Sequence, residues 1–591
     1  MFDSELIVQL FNLEYAILQS YLDGTLLAYQ SEANNLLDAI FSTIDVDYIN
    51  QRFMIHFLLR LNLVDIDIDN YFSECYLLDE NDGFRSSCRY EINAHKYLLE
   101  NNFKDAYYAK ESSFNCLLYG LLENKNSYNI MLYYNLLDLE LYAKSASNLS
   151  EYRTKYETLL EKLKNQINKN PHKKELESVG ELLKVYNEIE EKYISVYYDS
   201  SYKSTEENIK KCDTYIEKLN KLQFPYDEIR EKFIKIRCNL ISRLYRSKAS
   251  NISKYDISKY TIKDERYNEI INLLKTDKTL KEDLKSVYHL FTLAFYTEKI
   301  LNELEVLDVN NEDRKIAYYT KLSTFQYLLE DDKNQLTVMH SQYMNDPNEG
   351  KVFMNYVYGQ NSAKKADRDY FDDEFVFLKS FTNRVDKLSM WSLYGDDTKG
   401  CCIVLDNNMF DNLESKLLLL RRNSIISESL YNIWKGCNLY QVAYFDGEDF
   451  WVDCKENDNV KTYCKRIKAC VTKLKGILTN DVYTNLCNKL MSRIKYLIKY
   501  DDYRDEQETR IITQCKSLTD MYEVRIIDNK DNKLISKLYV PFPLKTMIKE
   551  IILGTKIGNK NEYIPYIYRK LALIYDKVDV VKISKSSIDY R

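Results

Sequence analysis

The stretch FVFLKSFTNRVDKLSMWSLYGDDTKGCCIVLD, Phe375 to Asp406, decides how this chain is read. It opens on a short apolar run, Phe375 to Leu378, with the length of a buried strand. The run ends in Ser380-Phe381-Thr382. On a strand the two hydroxyls share one face and Phe381 takes the other. A polar turn to Asp386 follows, then Leu388 to Tyr394 around Trp391, which reads as a short helix. Gly395 and Gly400 bracket an acidic turn, where glycine tolerates positive φ. A second apolar strand, Cys401 to Leu405, closes the stretch. Strand, hydroxyl pair, aromatic helix, glycine turn and strand together suit a small-ligand site.

Outward from this centre the pattern stays mixed. Strands are expected at Ile316 to Thr320, Gln335 to Met339, Arg510 to Thr513, Tyr522 to Ile527, Leu534 to Tyr539 and Ile551 to Leu553. A helix is expected from Ser323 to Glu330 with Ser323 as its N-cap. Residues 409–434 and 455–500 read as helical insertions, and the second carries Lys461, Lys465, Arg466, Lys468, Lys473 and Lys475. A solvated face compensated by nearby acids is the plainer reading of those cations, and contact with phosphate the sharper one.

Residues 1 to about 305 read differently, as helix after helix. Leu6, Leu10, Leu13 and Ile17 make one apolar stripe, and Leu182, Val185, Tyr186, Ile189 and Tyr193 another. Ser204-Thr205-Glu206-Glu207 has capping-box spacing ahead of Ile209, Cys212, Ile216 and Leu219. Only four of the 13 glycines and two of the 6 prolines precede residue 341, which marks the change of architecture. Tyr90 to Leu121 reads as helix, short turn, helix, with a tetratricopeptide-like spacing of small and aromatic residues. An irregular helical bundle is the other reading, and either kind of region usually binds partners or oligomerises. The polar stretch Glu303 to Arg314 is the expected boundary. The fold class is therefore multidomain: an all-α, repeat-like region over 1–307 and an α+β domain over 314–591.

The bulk numbers bound the function. A chain of 591 residues with 45% hydrophobic and 29% charged residues is globular and large enough for two to four domains. A net charge of −7 gives no global attraction to nucleic acid. Thirteen scattered cysteines with no C-x-x-C, and only five histidines, argue against a zinc site. The thiols read as reduced and the protein as cytoplasmic. The start, Met1-Phe2-Asp3-Ser4-Glu5, lacks the basic region of a signal peptide, and no apolar run of about 18 residues is present to span a membrane.

A family resemblance is carried by Ser380-Phe381-Thr382, Asp386-Lys387-Leu388-Ser389-Met390-Trp391, Tyr394-Gly395, and Gly400 with its strand. These resemble the core of the DUF2971 domain family. Further pieces fall in the family's order: Tyr318-Tyr319-Thr320, Met344 to Glu349, Leu439 to Tyr444, Glu506 to Arg510, and Ile551 to Gly554. The family is similar to ADP-ribosyltransferases in proposed fold. The resemblance thus implies NAD as a substrate and places an E-x-E-x-R motif on Glu506, Glu508 and Arg510; with no His/Cys cluster in the sequence, no metal is expected. One departure stands out: where the family usually shows His-Tyr-Thr, this chain has Tyr318-Tyr319-Thr320. A phenol can donate to a ribose hydroxyl but cannot carry an imidazole's charge.

Cleavage of a nicotinamide–ribose bond passes through an oxocarbenium-like state, and a carboxylate facing it is the main electrostatic need. Glu508 is assigned to the ribose and Glu506 to the acceptor side, sharing a face if the chain is extended. The plain alternative is an exposed acidic turn, because Asp501, Asp502 and Asp505 crowd the same place. Ser380 and Thr382 would hold the ribose or position the carboxylate. Trp391 and Tyr394 could stack on nicotinamide or adenine, with a core anchor as the alternative for Trp391. Asn345 and Asp346 sit in a turn they are expected to cap, and His340 reads as structural before catalytic. The expected function is an ADP-ribosyltransferase-like enzyme whose helical half recruits or senses a protein partner or target, with oligomerisation open. By analogy of architecture this suits a bacterial toxin or antiviral-defence effector. The alternatives are an NAD glycohydrolase and a non-catalytic nucleotide- or protein-binding module on the same fold.

Overall fold

The computed structural model of the chain describes residues 83–121, 128–167, 184–191, 202–220, 227–247, 255–306, 314–330, 335–344, 346, 348–359, 375–423, 425–515, 520–528, 534–543, 547–575 and 581–588. The expected stripe from Leu6 to Ile17 lies outside these residues.

Helices alone fill the described residues up to Leu304. Gly83–Leu99 and Phe103–Leu121 form the expected helix, turn, helix. Asn101 makes the turn in left-handed conformation (φ 57°), while the Asn102 N–H reaches back to the Tyr97 carbonyl at 2.8 Å. The Asn102 side chain then accepts from the Asp105 N–H and starts the second helix. Tyr128–Ser145 and Leu149–Ile167 are joined in a similar way, with Ser147 left-handed and the Asn148 N–H on the Ala143 carbonyl at 2.8 Å. The Ser204 capping box does not form. The helix already starts at Tyr202, so Ser204 lies within its first turn, although the apolar face Ile209, Cys212, Ile216 and Leu219 is buried as expected.

Among the described residues fourteen strands follow: β1 Ile316–Thr320, β2 Gln335–His340, β3 Phe375–Thr382, β4 Cys401–Leu405, β5 Leu439–Gln441, β6 Ala443–Phe445, β7 Phe450–Val452, β8 Lys455–Glu456, β9 Ile498–Tyr500, β10 Glu508–Cys515, β11 Arg525–Asp528, β12 Leu534–Pro543, β13 Ile548–Leu553 and β14 Lys582–Lys585. Ten of them form one mixed sheet in the order β11-β12-β2-β3-β1-β4-β13-β14, with β10 and β5 continuing from β3. A four-stranded sheet, β8-β7-β6-β9, lies beside it. The helix Leu388–Tyr394 and β4 fall where the sequence places them. The helix expected from Ser323 begins one residue earlier, at Leu322. The Phe325 N–H closes on the Lys321 carbonyl, so Ser323 is inside the helix and not its cap. The second insertion is helical over Asp458–Leu474 and Asp481–Met491, but its end is a strand, β9, entered through a short 3-10 turn at Ile494–Leu497.

The apolar cores run across the expected boundary between the two halves. One joins Ile209 to Leu304 with Val460, Ile467, Leu490 and Ile498; another joins Ala94 to Leu163 with Phe377, Leu417, Trp434 and Phe542. The helix Leu284–Leu304, capped by Asp283, packs on the helix Asp458–Leu474, and Glu305 bridges to Tyr440 of β5. Cooperative burial of this kind couples the stability of the helical and mixed parts. No described helix is long and apolar enough to cross a membrane.

Two glycines where β1, β4 and β13 meet are sterically required. A Cβ on Gly400 would lie 2.2 Å from the Thr320 carbonyl oxygen, and one on Gly554 would lie 2.1 Å from that of Thr398. These glycines let β1, β4 and β13 close on one turn. Gly400→Ala is expected to cost about 1–3 kcal/mol or more, because backbone has to yield. A urea titration showing an unchanged midpoint would contradict that.

Candidate functional site

The site is made by a split in the large sheet. β3 pairs with β10 along its whole length on one edge. On its other edge Phe377 and Leu378 pair with β2, and Thr382 pairs with Ala317 of β1. Between these pairings Lys379, Ser380 and Phe381 have no strand beside them, and β1 and β2 diverge. A cavity of about 240 Å³ opens there, lined by Ala317 to Tyr319 of β1, Met339 of β2 and Leu378 to Thr382 of β3. Tyr394, Lys499, Glu506, Glu508 and Arg510 form its polar part.

Register explains which side chains meet. Thr382 stands opposite Glu508, and Ser380 opposite Arg510, so these four project from one face of the sheet. Lys499 enters from β9. Its ammonium donates to Glu506 at 2.8 Å and to Glu508 at 3.1 Å. Arg510 clasps Glu508 through Nε at 2.8 Å and Nη2 at 3.0 Å. Its Nη2 also donates to Glu349 at 3.0 Å, and its Nη1 to Glu349 and to the Tyr496 carbonyl. All five guanidinium N–H groups are therefore used by the protein. Tyr394 donates its hydroxyl to Glu506 at 2.5 Å, and the Glu508 N–H donates to the Tyr444 hydroxyl at 2.8 Å.

The cluster is sealed: Arg510 is 1% exposed, and Glu506 and Glu508 are 6% exposed. Three carboxylates, Glu349, Glu506 and Glu508, face two cations, Lys499 and Arg510. One negative charge is left over in a place largely closed to water, where it is screened less than at the surface. Burial works against the charge on Glu508, but Arg510 and Lys499 outweigh it and hold the carboxyl down at about 2. Lys499 is likewise held protonated by Glu508 and Glu506 against its own burial. Burial and the Glu506 carboxylate push the Tyr394 phenol well up, so it stays a donor.

Glu508 is depressed below an ordinary carboxyl, so its contribution to stability is complete above the usual range near about 4.3. It is lost as pH falls toward about 2. Acid titration of the folded state should show this loss in wild type and a shallower one in Glu508→Gln; equal slopes would contradict it.

The carboxylate pair comes together by a different route from the one expected. Glu506 ends a 3-10 turn, Asp501–Glu506, and Gln507 is left-handed (φ 42°, ψ 58°), so the backbone is not extended from Glu506 to Glu508. A non-glycine residue in that region is uncommon. Lys499 is what makes the two acids converge. The outer acids behave as a surface turn: Asp505 pairs with Arg384 and Ser389, and Asp501 with Arg504.

The other expected residues divide. Ser380 lines the cavity, and its buried hydroxyl has no hydrogen-bond partner among the described residues. Thr382 donates to the Glu506 carbonyl at 2.6 Å and accepts from the Arg384 N–H, so it positions the turn that carries Glu506. Trp391 is fully buried, its indole N–H on Asp386 at 2.8 Å and its ring edge-on to Tyr319 at 4.9 Å. It is a core anchor and does not stack on a ligand. Tyr319 reaches the cavity wall, but its hydroxyl is held by the Arg384 carbonyl at 2.8 Å. Thr320 lies beyond the cavity, its carbonyl over Gly400. Tyr318 lines the cavity and alternates to the opposite face from Ala317 and Tyr319. Arg510, with every donor engaged, orders Glu508 and leaves no N–H for a cofactor. Asp346 accepts from the Asn348 N–H at 2.8 Å, an Asx turn as expected, while Asn345 lies outside the described residues. His340 is packed among Phe375, Phe377 and Tyr343, and burial brings it down to about 4. On the basic helix Lys461 pairs with Asp449, and Lys468 sits 4.4 Å over the Tyr356 ring.

Lys499, Glu349, Tyr496 and Tyr444 are absent from the sequence-derived site. The signal for Lys499 was a lone cation inside the apolar run Tyr496-Leu497-Ile498-Lys499-Tyr500, obscured by reading that run as helix. Glu349 was hidden in a turn sequence that any surface loop could carry.

These features define a mixed-sheet domain with a split-sheet cavity and a buried carboxylate pair. Within it, residues 390–511 match the family described as Protein of unknown function (DUF2971), about a fifth of the chain. The matched segment holds Tyr394, Lys499, Glu506, Glu508 and Arg510. No curated protein and no solved structure gives a significant match.

Proposed function

We propose that the split-sheet cavity binds NAD and cleaves its nicotinamide–ribose bond, as an ADP-ribosyltransferase or NAD glycohydrolase. The observation that carries this reading is the buried carboxylate pair Glu506 and Glu508, fixed on Lys499 at the cavity wall. As nicotinamide departs, positive charge develops on the ribose. The unmatched negative charge of the cluster is already in place and needs no reorganisation to meet it. Glu508, gripped by Arg510 and Lys499, supplies the fixed negative field toward the ribose. Glu506, tied to Tyr394, faces the acceptor. The volume accommodates the nicotinamide and ribose end, so the rest of a dinucleotide extends outward.

The ADP-ribosyltransferase-like fold that the family resemblance implies adds an analogy. By the same analogy the helical half, repeat-like in its paired hairpins, recruits or senses a protein partner, and the chain serves as a toxin or defence effector in the cytoplasm. A binding module without turnover is the second reading. The commitment of every Arg510 donor and of both Glu508 oxygens to protein partners favours it. Incubation of the full chain with NAD separates the readings: free nicotinamide with free ADP-ribose means hydrolysis, free nicotinamide with a modified macromolecule means transfer, and saturable binding without nicotinamide means the module.

A further inference from the structure

We propose that Lys379 and Tyr318 form an anion-binding subsite on the opposite side of β3 from the carboxylates, which takes a phosphate of the ligand. The proposal deepens the NAD reading by naming what the far wall of the same cavity recognises; the nature of the ligand's other end rests on that reading.

Lys379 lies in the gap where β3 has lost its neighbour, and strand alternation points it away from Ser380 and Glu508. Its ammonium sits 4.3 Å from the centre of the Tyr318 ring. Among the described residues no carboxylate pairs with it. Burial and the like-charged Lys537 bring it down to about 8, so it remains mostly protonated at neutral pH and uncompensated. The other cations of the cavity are spent, Lys499 on the two glutamates and Arg510 on five protein acceptors. A half-buried cation without a counter-charge is costly, and a ligand anion is what removes the cost.

Tyr318 is the independent observation. It lines the cavity, is 8% exposed, and its hydroxyl has no hydrogen-bond partner among the described residues. A cation with a nearby O–H donor is a phosphate complement. Glu508 projects from the opposite face of the sheet, so a ligand anion is favoured on the Lys379 side. The cavity is thus polarised. It suits a ligand with an electron-poor ring at one end and a phosphate at the other, a ribonucleotide in preference to a nucleoside.

The test is calorimetric titration of the full chain, wild type and Lys379→Met, with nicotinamide mononucleotide, nicotinamide riboside and inorganic pyrophosphate. Lys379→Met is expected to weaken the mononucleotide by about tenfold to a hundredfold, the effect of one charge-assisted contact, to abolish pyrophosphate binding, and to leave the riboside unchanged. Tyr318→Phe should give a smaller loss in the same direction. Equal loss of mononucleotide and riboside, or no loss of either, overturns the subsite while leaving the NAD reading standing. Pyrophosphate binding that requires Lys379, with neither nicotinamide compound bound, upholds the subsite and removes the NAD reading. Failure of wild type to bind any of the three overturns the subsite.

Discussion

Glu508→Gln is expected to lower nicotinamide release from NAD by about a hundredfold to a thousandfold, the scale for losing one preorganised electrostatic group. The substitution keeps the shape and removes the charge. It leaves Lys499 and Arg510 facing Glu349 and Glu506, so the cluster goes from one unmatched negative charge to none. Substrate binding should change little, because the lost interaction matters mainly once the ribose becomes cationic. Glu506→Gln should behave differently if acceptor chemistry resides there: transfer falls more steeply than hydrolysis. Equal losses of both activities in both variants would show that the two acids act as one unit. Retention of full activity in Glu508→Gln would remove the mechanism.

Arg510→Met carries the largest expected cost in stability. All five guanidinium donors are used, and the side chain is 1% exposed. Removing it leaves Glu349 without its cation and Glu508 sharing Lys499 with Glu506. Breaking a buried ion pair in this way costs about 3–5 kcal/mol. Because the apolar cores span both halves of the chain, unfolding should register in the helical region as well as in the sheet. The double variant Glu349→Gln with Arg510→Met should recover part of the loss, since one stranded charge is gone. A urea midpoint within about 1 kcal/mol of wild type for Arg510→Met would contradict the cluster.

Much of the fold was legible in the sequence because periodicity reports burial directly. Phe375 to Leu378 and Cys401 to Leu405 are short apolar runs between turn residues, and both are strands. The helix Leu388–Tyr394 was legible from Trp391 and Tyr394 at helical spacing, but its function was not. Spacing cannot distinguish a tryptophan aimed at a ligand from one sealed over Tyr319. Capping was the weakest guide: Ser204 and Ser323 both look like caps, yet each lies one or two residues inside its helix. Propensity for a cap is worth only about 1 kcal/mol and yields to packing.

The site was half legible. Glu506, Glu508 and Ser380 were found from the motif and the alternation of the strand. Lys499 and Glu349 were not, since they reach the cavity through long-range register, from β9 and from the loop before the helix Lys351–Tyr358. The split itself could not be read locally. It exists because β3 gives its outer edge to β2 at one end and to β1 at the other. The continuous cores were equally hidden, as a polar stretch such as Glu303 to Arg314 marks a surface turn without revealing what packs across it.

The measurement that bears most directly on this account is nicotinamide release from NAD by the purified full chain, beside Glu508→Gln shown to be folded. Release by wild type and its loss in the variant is the result expected. No release by wild type, together with no saturable binding of NAD, would contradict the proposal that this cavity is an NAD-cleaving site.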